Sequence, residues 1–368
     1  MSNLGRRRGL TFVGAVALIA AAGCGGDQSE SISASDVVEG APVAGTVKPG
    51  SLEGVTVNYT SWGGEIQEGQ MAGVKGFESD SGATIVEDSP TDYAKIKAQV
   101  AADQGTWDVV DVESTWAAAN CGSLLMELDE KIIDRSVLPP DNQGSACSVP
   151  VVGTGNIFAY DADEFPEAPD DWQDFFDVDQ FPGKRAVFAG NPAAVLEAAL
   201  MADGVASEEL YPLDVDRAFA KLDTIKEDLV FWSTGAQATQ MVESSQAAMG
   251  IFWSGRVLGA VENGANWEPV YDRPLVQYDE LVIPKSAPNP IAAMALINYA
   301  LGAEQMEIVT QETSYPGTNV NSDPKLDPLV AKYQASQAPY VDPVTVDSAW
   351  WGDNIGSLTD RWTTWING

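Results

Sequence analysis

The sequence of 368 residues holds 11 tryptophans, and three of them stand where a ligand could meet them. Trp62, Trp116 and Trp253 each lie just beyond a short apolar, β-branched run that reads as a strand. A ring face attracts a protonated amine by about 0.5–2 kcal/mol, so aromatic side chains gathered at strand ends suit a cationic ligand. An enclosed ammonium also needs a carboxylate, because an unpaired buried charge costs several kcal/mol. Asp279, in Tyr278-Asp279-Glu280-Leu281-Val282, is an acid candidate, and Ser114 adds a hydroxyl near Trp116. Arg256 follows Ser254-Gly255 after the strand ending at Trp253, where a guanidinium suits a bidentate grip on a carboxylate. Each has a plain alternative. Tryptophans fill cores, Asp279 is one of 54 acidic residues, and Arg256 could pair with a protein carboxylate. Trp107, Trp172, Trp362 and Trp365 are assigned to packing.

Other chemistries are poorly served. The chain has no histidine, which removes the usual general base and the commonest zinc ligand. There is no G-x-S-x-G, no P-loop and no G-x-G-x-x-G, so no catalytic nucleophile, metal or cofactor is expected. A secreted hydrolase using paired carboxylates is the enzymatic alternative left open. A net charge of −34 argues against nucleic acid, whose phosphates need Lys and Arg. The same charge gives a solvated, soluble surface and is not read as a site.

The elements that must position these residues alternate in type. Strands are predicted over Val55–Tyr59, Ala83–Val86 and Trp107–Val112, with helices over Ile66–Ser79 and Asp92–Ala102 between them. The second half repeats the pattern, with strands over Ala186–Phe188, Leu229–Trp232 and Ala248–Trp253 and helices near Ala193–Met201 and Asp214–Ile225. A further short strand is predicted over Glu280–Pro284, and Ser233-Thr234-Gly235 reads as a helix start. Strand–helix alternation implies an α/β fold of parallel β-α-β units. Ligands of such sheets sit beyond the carboxyl ends of strands, which points at Trp62 and at Ser114-Thr115-Trp116.

The order of several stretches resembles the extracytoplasmic solute-binding proteins of ABC importers, and among them the spermidine/putrescine-binding family. The matching stretches include Thr60-Ser61-Trp62-Gly63, Thr91-Asp92-Tyr93-Ala94-Lys95 and Phe181-Pro182-Gly183-Lys184-Arg185. Trp253-Ser254-Gly255-Arg256, Asp279 before Ile283-Pro284-Lys285, and Tyr315-Pro316 follow. The resemblance covers about 52–367. It implies two α/β lobes joined by crossover strands, closing on a ligand, with lobes of 52–155 plus 279–321 and of 156–278 plus 322–368. It further implies aromatic ligand contacts at Trp62, Trp116, Trp253 and Tyr315, an amine-binding role for Asp279, and an ABC permease as partner of a monomer. One departure stands out. Polyamine binders carry acids on the second lobe where this chain has Gly190-Asn191-Pro192-Ala193-Ala194, with no carboxylate before Glu197. The expected ligand is therefore a small cationic amine such as putrescine or spermidine, with a zwitterionic ω-amino acid such as 4-aminobutyrate as the alternative.

The amino terminus sets the compartment. Arg6-Arg7-Arg8 precede an apolar stretch, Leu10–Ala22, too short for the ~20 residues of a spanning helix. Ala21-Ala22-Gly23-Cys24 then resembles a bacterial lipoprotein cleavage site, which implies removal of 1–23 and lipidation of Cys24. Residues 24–51 read as a flexible tether. The protein is thus expected outside the cytoplasm, touching membrane only through its anchor. Cys121 and Cys147 are then left to pair; loop-closure entropy makes such a bridge worth roughly 3.5 kcal/mol. Two buried thiols are the alternative.

Overall fold

The computed structural model describes residues 32–140, 142–165, 167–335 and 339–368. The signal sequence and Cys24 lie outside the described residues. Ten strands form one sheet: β1 Thr56–Thr60, β2 Thr84–Asp88, β3 Val109–Glu113, β4 Ser148–Asp161, β5 Arg185–Phe188, β6 Leu229–Trp232, β7 Met249–Trp253, β8 Trp267–Pro269, β9 Leu275–Val282 and β10 Val344–Thr345. Its main path runs β2-β1-β3-β9-β4-β7-β5-β6. The two ends of this path are parallel, as β-α-β units require: β2, β1 and β3 at one end, β7, β5 and β6 at the other. The long strands β4 and β9 join them with antiparallel pairing. This is a two-lobed α/β fold with crossover strands.

Two sets of apolar side chains build the lobes. The first lobe packs Tyr59, Phe77, Val109 and Leu296 around β1–β3. The second packs Phe158, Trp172, Leu200 and Trp362 around β5–β7. Along β4 the side chains pass from one core to the other, Val149 and Val152 in the first and Phe158 and Tyr160 in the second. A third passage lies between Asn319, whose amide donates to the Leu301 carbonyl, and Tyr333, whose hydroxyl donates to the Trp267 carbonyl.

Local chemistry fixes the elements that flank the cleft. Asp92 caps the Tyr93–Ala102 helix by accepting from the amides of Ala94 (2.8 Å) and Lys95 (3.0 Å). Thr234 caps Gly235–Glu243 in the same way, through Gln237 N. The single helix expected over 66–79 is instead two, Glu65–Gly73 and Gly76–Ser81. Both glycines are weak helix formers kept by crowding. A Cβ on Gly73 would lie 2.8 Å from the Gln305 carbonyl, and one on Gly76 would strike the Tyr299 hydroxyl.

Two further differences from the sequence reading concern burial. Residues 32–51 are not a loose tether. Val37 is fully buried in the first-lobe core, and the Asn298 amide donates to the carbonyls of Val43 (2.9 Å) and Thr46 (3.2 Å). The polar composition of this stretch hides a few apolar anchors. The strand expected over Glu280–Pro284 is longer and earlier, Leu275–Val282, because it crosses both lobes. Cys121 and Cys147 are joined by a disulfide, with Cα atoms 5.4 Å apart. Among the described residues no helix is long and apolar enough to cross a membrane.

Candidate ligand-binding site

Where the lobes meet, they line a small, partly open cavity. β1 delivers Trp62 just past its carboxyl end. Gly63 and Gly64 follow with φ of 75° and 64°, a left-handed turn that only glycine adopts without strain. The turn leads into the Glu65–Gly73 helix, which contributes Ile66. From the crossing strands come Thr154 on β4 and Gln277 and Asp279 on β9, and from the end of β3 comes Glu113. β7 delivers Trp253, and the first turn of the Ser254–Glu262 helix delivers Arg256. Tyr315 closes the wall after the Ala303–Thr313 helix.

Trp62 and Trp253 face each other from opposite lobes, with ring centroids 6.3 Å apart. Trp253 is held from behind by Phe188 (5.5 Å) and Trp232 (4.9 Å). Arg256 is buried, and its Nη2 donates across the cleft to the Gly63 carbonyl (3.3 Å). Its Nε has no hydrogen-bond partner, and among the described residues no carboxylate lies within ion-pair distance of it. Gly235 makes room for it, since a Cβ there would collide with the guanidinium. Gly255 does the same for Tyr315, whose ring carbon Cζ would lie 2.7 Å from an added Cβ.

The first-lobe wall is acidic. Glu113 and Asp279 are directly opposed in the antiparallel β3–β9 pair, and Asp111 lies two residues back on the same face. Burial, then the charges of Asp111 and Glu113, push the Asp279 carboxyl well above its ordinary value; the Thr154 hydroxyl and Arg256 pull the other way. Burial lifts Asp111 to about 7, against hydrogen bonding from the Gln70 amide (2.6 Å) and the Ser61 hydroxyl (3.1 Å). Burial also raises Glu113, whose Oε2 accepts from the Tyr93 hydroxyl (3.2 Å) and the Asn191 amide (3.3 Å). The cavity thus presents acceptors on one wall, a guanidinium with an unpartnered Nε on the other, and indole faces between.

Of the residues expected from sequence, Trp62, Trp253, Arg256, Asp279 and Tyr315 meet in this cavity. Ser114 and Trp116 do not. The helix Ser114–Asn120 starts directly after β3, so its first residue already turns away, and the cavity edge is met by Glu113. Ser114 instead accepts a hydrogen bond from Ser348 on the C-terminal helix (2.7 Å), and Trp116 stacks on Tyr93 at 4.4 Å. Glu113, Thr154 and Gln277 were missed. The strand-end rule could have found Glu113, one residue before Ser114; nothing in the sequence marks the other two. Trp107, Trp172 and Trp362 are fully buried in cores.

Residues 72–338 match the family described as bacterial extracellular solute-binding protein. The chain belongs to this family. It is 30% identical over 319 residues to a gamma-aminobutyric acid-binding protein of Pseudomonas aeruginosa, covering 84% of this chain and 90% of that one. It is 23% identical to the spermidine/putrescine-binding periplasmic protein 1 of Haemophilus influenzae, covering 84% and 88%. The solved structure of a GABA receptor superposes with a TM-score of 0.77 at 37% identity, covering 84% of this chain and 97% of the other. A binding protein of Agrobacterium tumefaciens in complex with agropinic acid gives 0.76 at 30%, covering 86% and 99%. As a solute-binding protein of an ABC transporter, the chain works outside the cytoplasm. It captures a small ligand for a permease, and the relatives it matches are solute-binding proteins.

Proposed function

We propose that the cavity binds a zwitterionic ω-amino acid of the size of 4-aminobutyrate. The observation that carries this reading is Arg256, buried at the cavity with an unpartnered Nε and, among the described residues, no carboxylate within ion-pair distance, Asp279 and Glu65 feeling its charge only from farther off. A guanidinium so placed is costly unless a ligand carboxylate completes it. The ammonium end faces Asp279 and Glu113, with Trp62 and Trp253 offering ring faces. The second-lobe acids that a diamine would need are missing here. Glu197 is spent elsewhere, accepting from Trp351 Nε1 (2.7 Å) and Tyr211 in the second-lobe core. The GABA-binding relative and structural neighbour support the same class of ligand.

Calorimetry with 4-aminobutyrate, putrescine and spermidine tests this. The wild type should prefer 4-aminobutyrate, and Arg256→Gln should weaken it by about 2–5 kcal/mol, the usual loss for one partner of a buried charge pair. Preference for putrescine, with Arg256→Gln neutral or improved, would restore the polyamine reading. Release of the ligand follows opening of the lobes about the crossover strands. We further propose that the protein acts as a monomer anchored through a lipid on Cys24. Cys24→Ala should then leave the membrane fraction or stall in processing; a fully processed variant still bound to membrane would rule the anchor out.

A further inference from the structure

A second space lies beside the cavity. A wider, open groove runs between the Tyr93–Ala102 helix, the Ser114–Asn120 helix and the C-terminal helix Ser348–Asn367. Glu113 lines both the cavity and the groove. Tyr93 and Asn191, which donate to its Oε2, line the groove and not the cavity. At this point the wall between the two spaces is one carboxylate held by two donors. Tyr93 comes from the first lobe and Asn191 from the second, so the wall is complete only when the lobes meet. Tyr93 is itself fixed, stacked on Trp116 at 4.4 Å and edge-on to Trp62 at 6.0 Å.

We propose that Glu113, Tyr93 and Asn191 form a partition that sets the maximum ligand length. When it opens, the groove takes the far end of longer ω-amino acids or diamines. This rests on the reading of the cavity as an amine site. A chain too long for the cavity meets the groove across Glu113, the wall residue that the two spaces share. To enter the groove it must break the hydrogen bonds that hold a buried carboxylate, a penalty that short ligands escape.

Two mild variants loosen the partition without emptying the core. Asn191→Ser removes the donor to Glu113 and keeps an oxygen for the turn at Ala193. Tyr93→Phe removes the other donor and keeps the stack on Trp116. Calorimetry would compare ω-amino acids of four to eight carbons, and putrescine, cadaverine and spermidine, on wild type and both variants. In the wild type, affinity should drop at least thirtyfold between the shortest and the longest member of the series it binds. In the variants, the ratio of long to short affinity should rise at least tenfold. A merely structural defect weakens all lengths alike and leaves that ratio unchanged, which overturns the proposal. So does a wild type indifferent to length. If only diamines bind, the zwitterion reading fails and the partition is judged on the diamine series; if neither series binds, both fail.

Discussion

The two walls of the cleft are built by the same strand–helix device and carry opposite chemistry. In the first lobe, β3 ends in Glu113, opposed by Asp279 in the middle of β9, with Asp111 behind them. In the second lobe, β7 ends in the indole of Trp253, and the helix that follows brings the guanidinium of Arg256. On the reading proposed above, the shared architecture sets where the ligand sits and the side chains of the two walls set which way round it lies. The acidic wall holds its acids above their ordinary protonation range by burial, while the basic wall keeps its cation unpaired. A molecule with its own two opposite charges resolves both mismatches at once.

The strongest way to break this polarity is Asp279→Asn. It keeps the shape of the acidic wall and removes the ammonium's partner. We expect a loss of about 2–5 kcal/mol in 4-aminobutyrate binding by calorimetry. Undiminished affinity would move the ammonium to the other wall.

pH should act next. A carboxyl raised in the folded state binds its proton more tightly folded than unfolded. Its contribution to stability is full below about pH 4 and is lost as pH rises through the folded value, about 7 for Asp111. If the ligand's ammonium pairs with an ionised Asp279, as proposed above, affinity should rise with pH from 5.5 to 8, by up to about tenfold per unit for one linked proton. The melting shift caused by 4-aminobutyrate should grow over the same range. Asp111→Asn should flatten it; a pH-independent shift would show that the acids are ionised in the ligand-free cleft.

Gly235→Ala sharpens the comparison from the basic side. The added methyl displaces the Arg256 guanidinium, and a bidentate grip tolerates little misplacement. We expect about tenfold weaker binding with the melting temperature nearly kept. The smallest effect should come from Ser114→Ala. It removes the hydrogen bond from Ser348, worth about 0.5–1.5 kcal/mol of stability, and leaves ligand affinity unchanged.

Much of the site was legible because strand ends are. Trp62 and Trp253 follow runs whose apolar pattern marks them as strands, and Arg256 follows Trp253 by three residues, so their location depended only on local sequence. Asp279 and Tyr315 were reached through a family resemblance rather than through periodicity. Ser114 and Trp116 show the limit of the rule. It located the end of β3 to within one residue, but the chain turns into a helix there, and one residue of rotation exchanges a cavity wall for an interhelical contact. β4 was invisible as a strand because Ser148–Asp161 is buried throughout and carries Pro150, Gly153 and Gly155, so it shows neither alternation nor clear boundaries.

By itself the sequence determined the alternation of strands and helices, the aromatic and charged stock of the cleft, and the pair of cysteines free to bridge. These follow from local pattern and composition. Tertiary structure alone decided that Thr154 and Gln277 join the site, that residues 32–51 pack on the first lobe, and that no carboxylate of the described residues lies within ion-pair distance of Arg256. Each of these depends on which distant surfaces meet, and proximity between residues far apart in the chain leaves no trace in periodicity.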